Sequence, residues 1–166
     1  MLSRQGGWMA ARVPSHRPAY GQRWSCRTVD ASRAARYADK LAHASDRLSR
    51  FLEWAPAASG DLKARLAAYK AFQEASEALS DVVAMIVKDS GRVPKDDYTN
   101  LRLLEEASVL STDAAGALRE GNGLRNRLVH EYGGLVDDVA LASGKRLCPL
   151  LASVIEEVRR WISKNA

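Results

Sequence analysis

The sequence predicts an all-α bundle of four to five helices. Three observations carry that reading. Apolar residues recur at spacings of three and four from Asp30 to the end of the chain. No segment alternates apolar and polar residues in the manner of a strand. Helix starters and helix breakers fall at the joins between the apolar stripes.

The first helix follows from Tyr37, Leu41, Ala44, Leu48, Phe51 and Ala55, which share one face, and Pro56 and Gly60 end it. Leu62, Leu66, Tyr69, Phe72, Leu79, Val82, Val83 and Ile86 mark a longer second helix up to about Asp89, broken by Gly91 and Pro94. A short third helix runs from Asp96 to Ala107 with Tyr98, Leu101 and Leu104 inward. Ser111-Thr112-Asp113 offers short oxygen side chains to orphan backbone N–H groups and opens a fourth helix, which Gly133-Gly134 stops. Asp137-Asp138 opens the last helix, whose inner face is Leu147, Leu150, Leu151, Val154, Ile155, Val158, Trp161 and Ile162. Pro149 lies inside that pattern and should kink it, because it has no N–H to bond back to residue 145. Asn122-Gly123 places two poor helix formers in the fourth helix.

At 166 residues the chain fits one domain, 30–166, preceded by a tail, 1–29. The tail holds Arg4, Arg12, Arg17, Arg23 and Arg27, with no lysine and no acid, and its Gly, Pro and Ser content predicts disorder. The whole chain has 25 basic and 20 acidic residues, so without those five arginines the two signs balance. A basic total usually points to nucleic acid. Here the excess lies in the tail, and any RNA contact of the body has to be a local site. Cys26 and Cys148 are far apart and form no C-x-x-C pair, which predicts neither a disulfide framework nor a zinc site and fits a reducing cytoplasm. No apolar run is long enough to span a bilayer, so no membrane association is expected.

The chemistry-bearing stretch is Gly123-Leu124-Arg125-Asn126-Arg127-Leu128-Val129-His130-Glu131-Tyr132. On a straight helix Asn126 and His130 share one face and Arg125 and Tyr132 another, with Arg125 and His130 about 140° apart. An Arg and a His without a metal cluster suit RNA phosphodiester chemistry. The guanidinium grips phosphate oxygens and the imidazole moves a proton near neutral pH. Asn126 would orient the ring or the phosphate. One His cannot be acid and base at once, and two paired chains would supply two. The same residue types at a helix end also fit a purely structural role, capping carbonyls and complementing the helix dipole. His43 reads as a surface or interface residue, and Trp54 and Trp161 as core or dimer contacts.

The run Arg125-Asn126-Arg127-Leu128-Val129-His130-Glu131-Tyr132 resembles the R-x4-H-x-Y signature of HepT-like toxins, a branch of the HEPN superfamily. Leu66 to Asp89, Gly91-Arg92-Val93-Pro94 and Tyr98 resemble that family's second helix and following loop, and Val136-Asp137-Asp138 matches its pattern after the motif. The resemblance implies a HEPN-type bundle that dimerises through the motif helix. It implies a metal-independent endoribonuclease toxin of a type VII-like toxin–antitoxin pair, with no cofactor, acting on RNA and leaving a 2′,3′-cyclic phosphate. Arg125 and His130 would be catalytic, with Asn126 supporting them. The implied partner is a MntA-type minimal nucleotidyltransferase antitoxin that neutralises the toxin by transferring AMP to Tyr132. HEPN domains also serve as non-catalytic helical binding subunits of a nucleotidyltransferase complex, which is the alternative role.

Overall fold

The computed structural model describes residues 29–130 and 136–166. Residues 1–28, which carry all five tail arginines, and residues 131–135, which include Tyr132 and the expected Gly133-Gly134 helix stop, lie outside the described residues.

Short oxygen side chains start the helices at or next to the expected positions. Asp30 accepts from the backbone N–H of Arg33 and opens α1, Ala31–Trp54. Asp61 accepts from Lys63 N–H and opens α2, Leu62–Asp89. Asp96 accepts from Thr99 N–H and opens α3, Asp97–Glu106. The Ser111 hydroxyl accepts from Ala114 N–H at 3.2 Å and opens α4, Thr112–His130. Asp137 and Asp138 occupy the first turn of α5, Asp137–Asn165. Each acceptor satisfies a backbone donor that has no partner within its helix. Gly91 ends α2 in the left-handed conformation, φ 77°, which an L side chain disfavours.

The five helices pack as one bundle: α1 lies along α2, α4 along α5, α2 also meets α3 and α4, and α5 closes back on α1. Tyr37, Leu41, Phe51, Phe72, Leu79, Leu104, Leu124, Leu151 and Ile155 are fully buried at the centre. Val29 is already part of this core, and its N–H donates to the Asn165 carbonyl at 2.6 Å, so the chain enters the bundle beside its own C-terminal end. His43 is exposed; Trp54 and Trp161 are half-buried against the core, and Trp161 meets Tyr37 edge to face.

Four residues expected inward are exposed: Leu62, Leu66, Tyr98 and Leu150. Leu62, Leu66 and Tyr98 belong to the opening turns of α2 and α3, where a helix begins before its neighbours close over it. Leu150 lies a single position from Leu151, which takes the core position, and about 100° of helix separates the two. Pro149 sits on the exposed side, and α5 continues past it to Asn165. Asn122 and Gly123 are accommodated within α4.

Among the glycines of the described residues, Gly144 has the tightest surroundings. A Cβ there would come within 2.3 Å of Phe51 Cζ, and the Phe51 ring is itself locked edge to face on Phe72 at 5.5 Å. Gly144→Ala should therefore destabilise the fold by about 1–3 kcal/mol, because overlap in a filled core outweighs the helix-propensity gain of about 1 kcal/mol. The urea midpoint should fall. A raised midpoint would mean that α5 can move away from Phe51 at little cost.

Candidate functional site

The motif residues sit on the last two turns of α4 in three different environments. Leu124 is buried and Leu128 packs against the core, so these two fix the rotation of the helix. That rotation turns Arg125 toward α3 and leaves Asn126, Arg127 and His130 exposed.

Arg125 is the most constrained of the set. Its side chain keeps 24% of its exposure, and its Nη2 lies 3.8 Å from Asp97 Oδ2 in the first turn of α3. Its Nη1 donates to Asn126 Oδ1 at 2.9 Å. Its Nε is buried without a partner. The guanidinium thus has neighbours of different charge at two corners, and the side chain stays partly exposed.

The sequence suggests that Asn126 serves the His ring or a phosphate. In the structure its Oδ1 accepts from Nη1 of the adjacent Arg125. His130 is the last described residue of α4 and is exposed; among the described residues no hydrogen bond joins it to Arg125. The structure therefore brings Arg125 and Asn126 together and leaves His130 separate within one chain. Tyr132 lies outside the described residues.

Behind Arg125 is a polar relay that periodicity alone does not show. Asn122, 3% exposed, donates from Nδ2 to Asp97 Oδ2 at 3.4 Å and accepts from the Ser80 hydroxyl at 3.2 Å. Val83, Leu101 and Leu118 close the crevice around these groups. In the sequence Asn122 stands out only as a poor helix former, and Asp97 only as part of a helix start. The available signal is an Asn on the inward side of α4, one turn before Arg125, since a buried amide has to find partners.

The chain after the motif is fixed by a second polar contact. The Tyr69 hydroxyl donates to Asp137 Oδ1 at 2.7 Å and Arg65 Nη1 lies 3.0 Å from Asp137 Oδ2. Burial first, and then the Asp137 carboxylate, push the Tyr69 phenol well above its ordinary range, so it stays a neutral donor. This pins the start of α5 to α2.

Cys148 is buried, and desolvation pushes its thiol up to about 12, which leaves it inert as a nucleophile. Among the described residues, no group of three or more His, Cys, Asp or Glu side chains is placed to hold a metal ion. No helix among them is long and apolar enough to cross a membrane.

A protein-family model described as Ribonuclease HepT-like matches residues 34–158. Among curated relatives, an Archaeoglobus fulgidus protein named "Putative RNase" is 38% identical over 100 residues, covering 60% of this chain and 74% of the relative. A Methanocaldococcus jannaschii protein, also named as an RNase, is 42% identical over 78 residues, covering 47% of this chain and 85% of the relative. Two solved structures share the fold. One is a tri-AMPylated Shewanella oneidensis HEPN toxin in complex with MNT antitoxin: TM-score 0.69, 18% identity, covering 75% of this chain and 97% of that one. The other is a mutant MntA-HpeT toxin–antitoxin complex: TM-score 0.68, 18% identity, covering 76% of this chain and 98% of that one.

Proposed function

The chain belongs to the HepT-like ribonuclease family, and from that premise we propose that it is a metal-independent endoribonuclease, the toxin of a toxin–antitoxin pair. The observation that supports this most is the state of Arg125. Its guanidinium has Asn126 and Asp97 beside it and its side chain keeps 24% exposure, as a phosphate clamp requires.

The reaction is an internal transfer. A His130 imidazole takes the proton from the 2′-hydroxyl, and the 2′-oxygen attacks the adjacent phosphorus. The P–O5′ bond breaks, and a second imidazole, protonated, gives its proton to the departing 5′-oxygen. The products are a 2′,3′-cyclic phosphate and a 5′-hydroxyl. Arg125 binds the non-bridging oxygens and stabilises the charge that builds on them in the transition state. No step needs a metal or an external cofactor. Purified chain should cleave single-stranded RNA in excess EDTA and leave these two ends. Cleavage that depended on added magnesium would overturn the mechanism. A chain that never cut RNA but still bound a nucleotidyltransferase would favour the non-catalytic role.

The second imidazole comes from a second chain. Gly116 and Gly123, seven residues apart, lie on the same outer face of α4 as Glu120, Arg127 and His130. A Cβ at either glycine would meet nothing within 4 Å among the described residues. Each glycine costs the helix about 1 kcal/mol relative to alanine, and no contact among the described residues requires it. Close approach of another helix does, which supports a homodimer packed along α4 with the two His130 side chains on the shared face. The wild-type chain should scatter light as a dimer at micromolar concentration. Gly123→Leu should leave the helical circular-dichroism signal intact, yield monomers and stop cleavage. A Leu variant that stayed dimeric would place the interface elsewhere.

The nucleotidyltransferase is the proposed antitoxin, with Tyr132 as the acceptor of AMP. The likeness in fold to toxin chains solved in complex with such antitoxins supports that pairing.

A further inference from the structure

We propose that Asp97 is a positioning residue for Arg125, set by a relay of side chains from three helices; this rests on the reading of Arg125 as the phosphate clamp. The geometry converges on one atom. Asp97 Oδ2 receives Asn122 Nδ2 from α4 at 3.4 Å and faces Arg125 Nη2 at 3.8 Å. Asn122 is in turn held by the Ser80 hydroxyl of α2 at 3.2 Å. Asp97 stands in the first turn of α3, where the positive end of the helix favours a carboxylate. The carboxylate is therefore fixed from behind before it meets the guanidinium.

The 3.8 Å separation matters. It is too long for a hydrogen bond, so Asp97 acts on Arg125 through charge and leaves the Nη2 hydrogens for another acceptor. Asn126 fixes the Nη1 corner, and Asp97 draws the Nη2 corner toward α3. Together they set the plane of the guanidinium. Its Nε is buried and unpartnered, so the side facing the core offers no bond to hold the group in place. Without Asp97 the guanidinium keeps its charge and loses its fixed plane. It would still attract RNA but would meet the transition state in the wrong orientation, and misplacement by about 1 Å costs up to about 100-fold in rate.

The expected signature is a split between binding and turnover. Asp97→Asn keeps the shape and an acceptor for Asn122 and removes the charge. Its KM for a short RNA should stay the same or fall slightly, because an anion beside the phosphate is gone, while kcat falls about 10-fold or more. The same change in an Arg125→Lys background should cost less than about twofold, since an ammonium has no plane to orient. Thermal unfolding measured alongside should show little change. A kcat for Asp97→Asn within twofold of wild type, or an equal loss in both backgrounds, would overturn the positioning role. If Asp97→Asn does not fold, Ser80→Ala loosens the same relay and should show a smaller loss, again absent in the Arg125→Lys background. If Arg125→Ala itself cleaves like wild type, the clamp reading fails and the relay falls with it.

Discussion

Arg125→Ala and His130→Ala should each lower RNA cleavage by about 100-fold or more, the scale for removing a donor aimed at developing charge or a general acid–base group. Neither change should unfold the protein. The Arg125–Asp97 pair is partly exposed, 24% and 37%, and such pairs contribute about 0–1 kcal/mol. Truncating Arg125 also leaves Asp97 its bond from Asn122 and removes the buried, unpartnered Nε of Arg125 itself. His130 is exposed in the last described turn of α4, so its truncation removes no buried contact. The two variants should differ in kind. Loss of Arg125 should raise KM as well as lower kcat, since the guanidinium contacts phosphate in both states. Loss of His130 should act on kcat, because a proton is moved only in the transition state. The measurement is single-turnover cleavage of a labelled RNA, with circular dichroism as the control. Retained cleavage in either variant would remove that residue from the mechanism. Mixing the two inactive variants adds a check: a dimer whose cleft needs one intact motif from each chain should not recover full activity.

The bundle was legible because the residues that make helices also mark their ends. Asp30, Asp61, Asp96 and Ser111 bond to the backbone they stand beside in sequence, and the stripe from Tyr37 to Phe51 is buried. Periodicity fails at helix openings, where Leu62, Leu66 and Tyr98 have the spacing of a core face and are not covered by any neighbour among the described residues. The motif residues were legible from residue type and spacing, while their partners were not. Asn126 and Arg125 are adjacent in sequence, and periodicity sets adjacent helix residues about 100° apart, so a bond between their side chains depends on the reach of the Arg stem. Asp97 and Asn122 meet only because α2, α3 and α4 converge, and no local pattern encodes a convergence of three helices. Gly123 reads in the sequence as a weakness of α4. A Cβ at that position would meet nothing within 4 Å among the described residues, which supports the proposed packing of a second chain there.

Tyr132→Phe should keep the toxin active when its antitoxin is co-expressed, where the wild-type pair allows growth. Tyr132 lies two residues past the described end of α4 and, on a continued helix, shares a face with Arg125. AMP transferred to its hydroxyl forms a phosphodiester bond from the tyrosine oxygen to the α-phosphorus of ATP and releases pyrophosphate. The tyrosine then carries an anion and a purine on a long side chain. The anion is the same chemical group as the RNA backbone, so it would compete for Arg125, and the purine would fill space a nucleotide would occupy. Inhibition is then local occupation with no change of fold, and circular dichroism of modified and unmodified protein should coincide. The Phe variant cannot accept AMP and should cleave RNA in the presence of antitoxin and ATP, at a rate within a few-fold of unmodified wild type. Mass spectrometry of the co-expressed wild type should place added AMP on the peptide containing Tyr132. AMP on a different residue, or complete neutralisation of Tyr132→Phe by a transfer-competent antitoxin, would move the control point elsewhere. Neutralisation by an antitoxin unable to transfer AMP would show that binding alone covers the cleft and that the chemistry at Tyr132 is secondary.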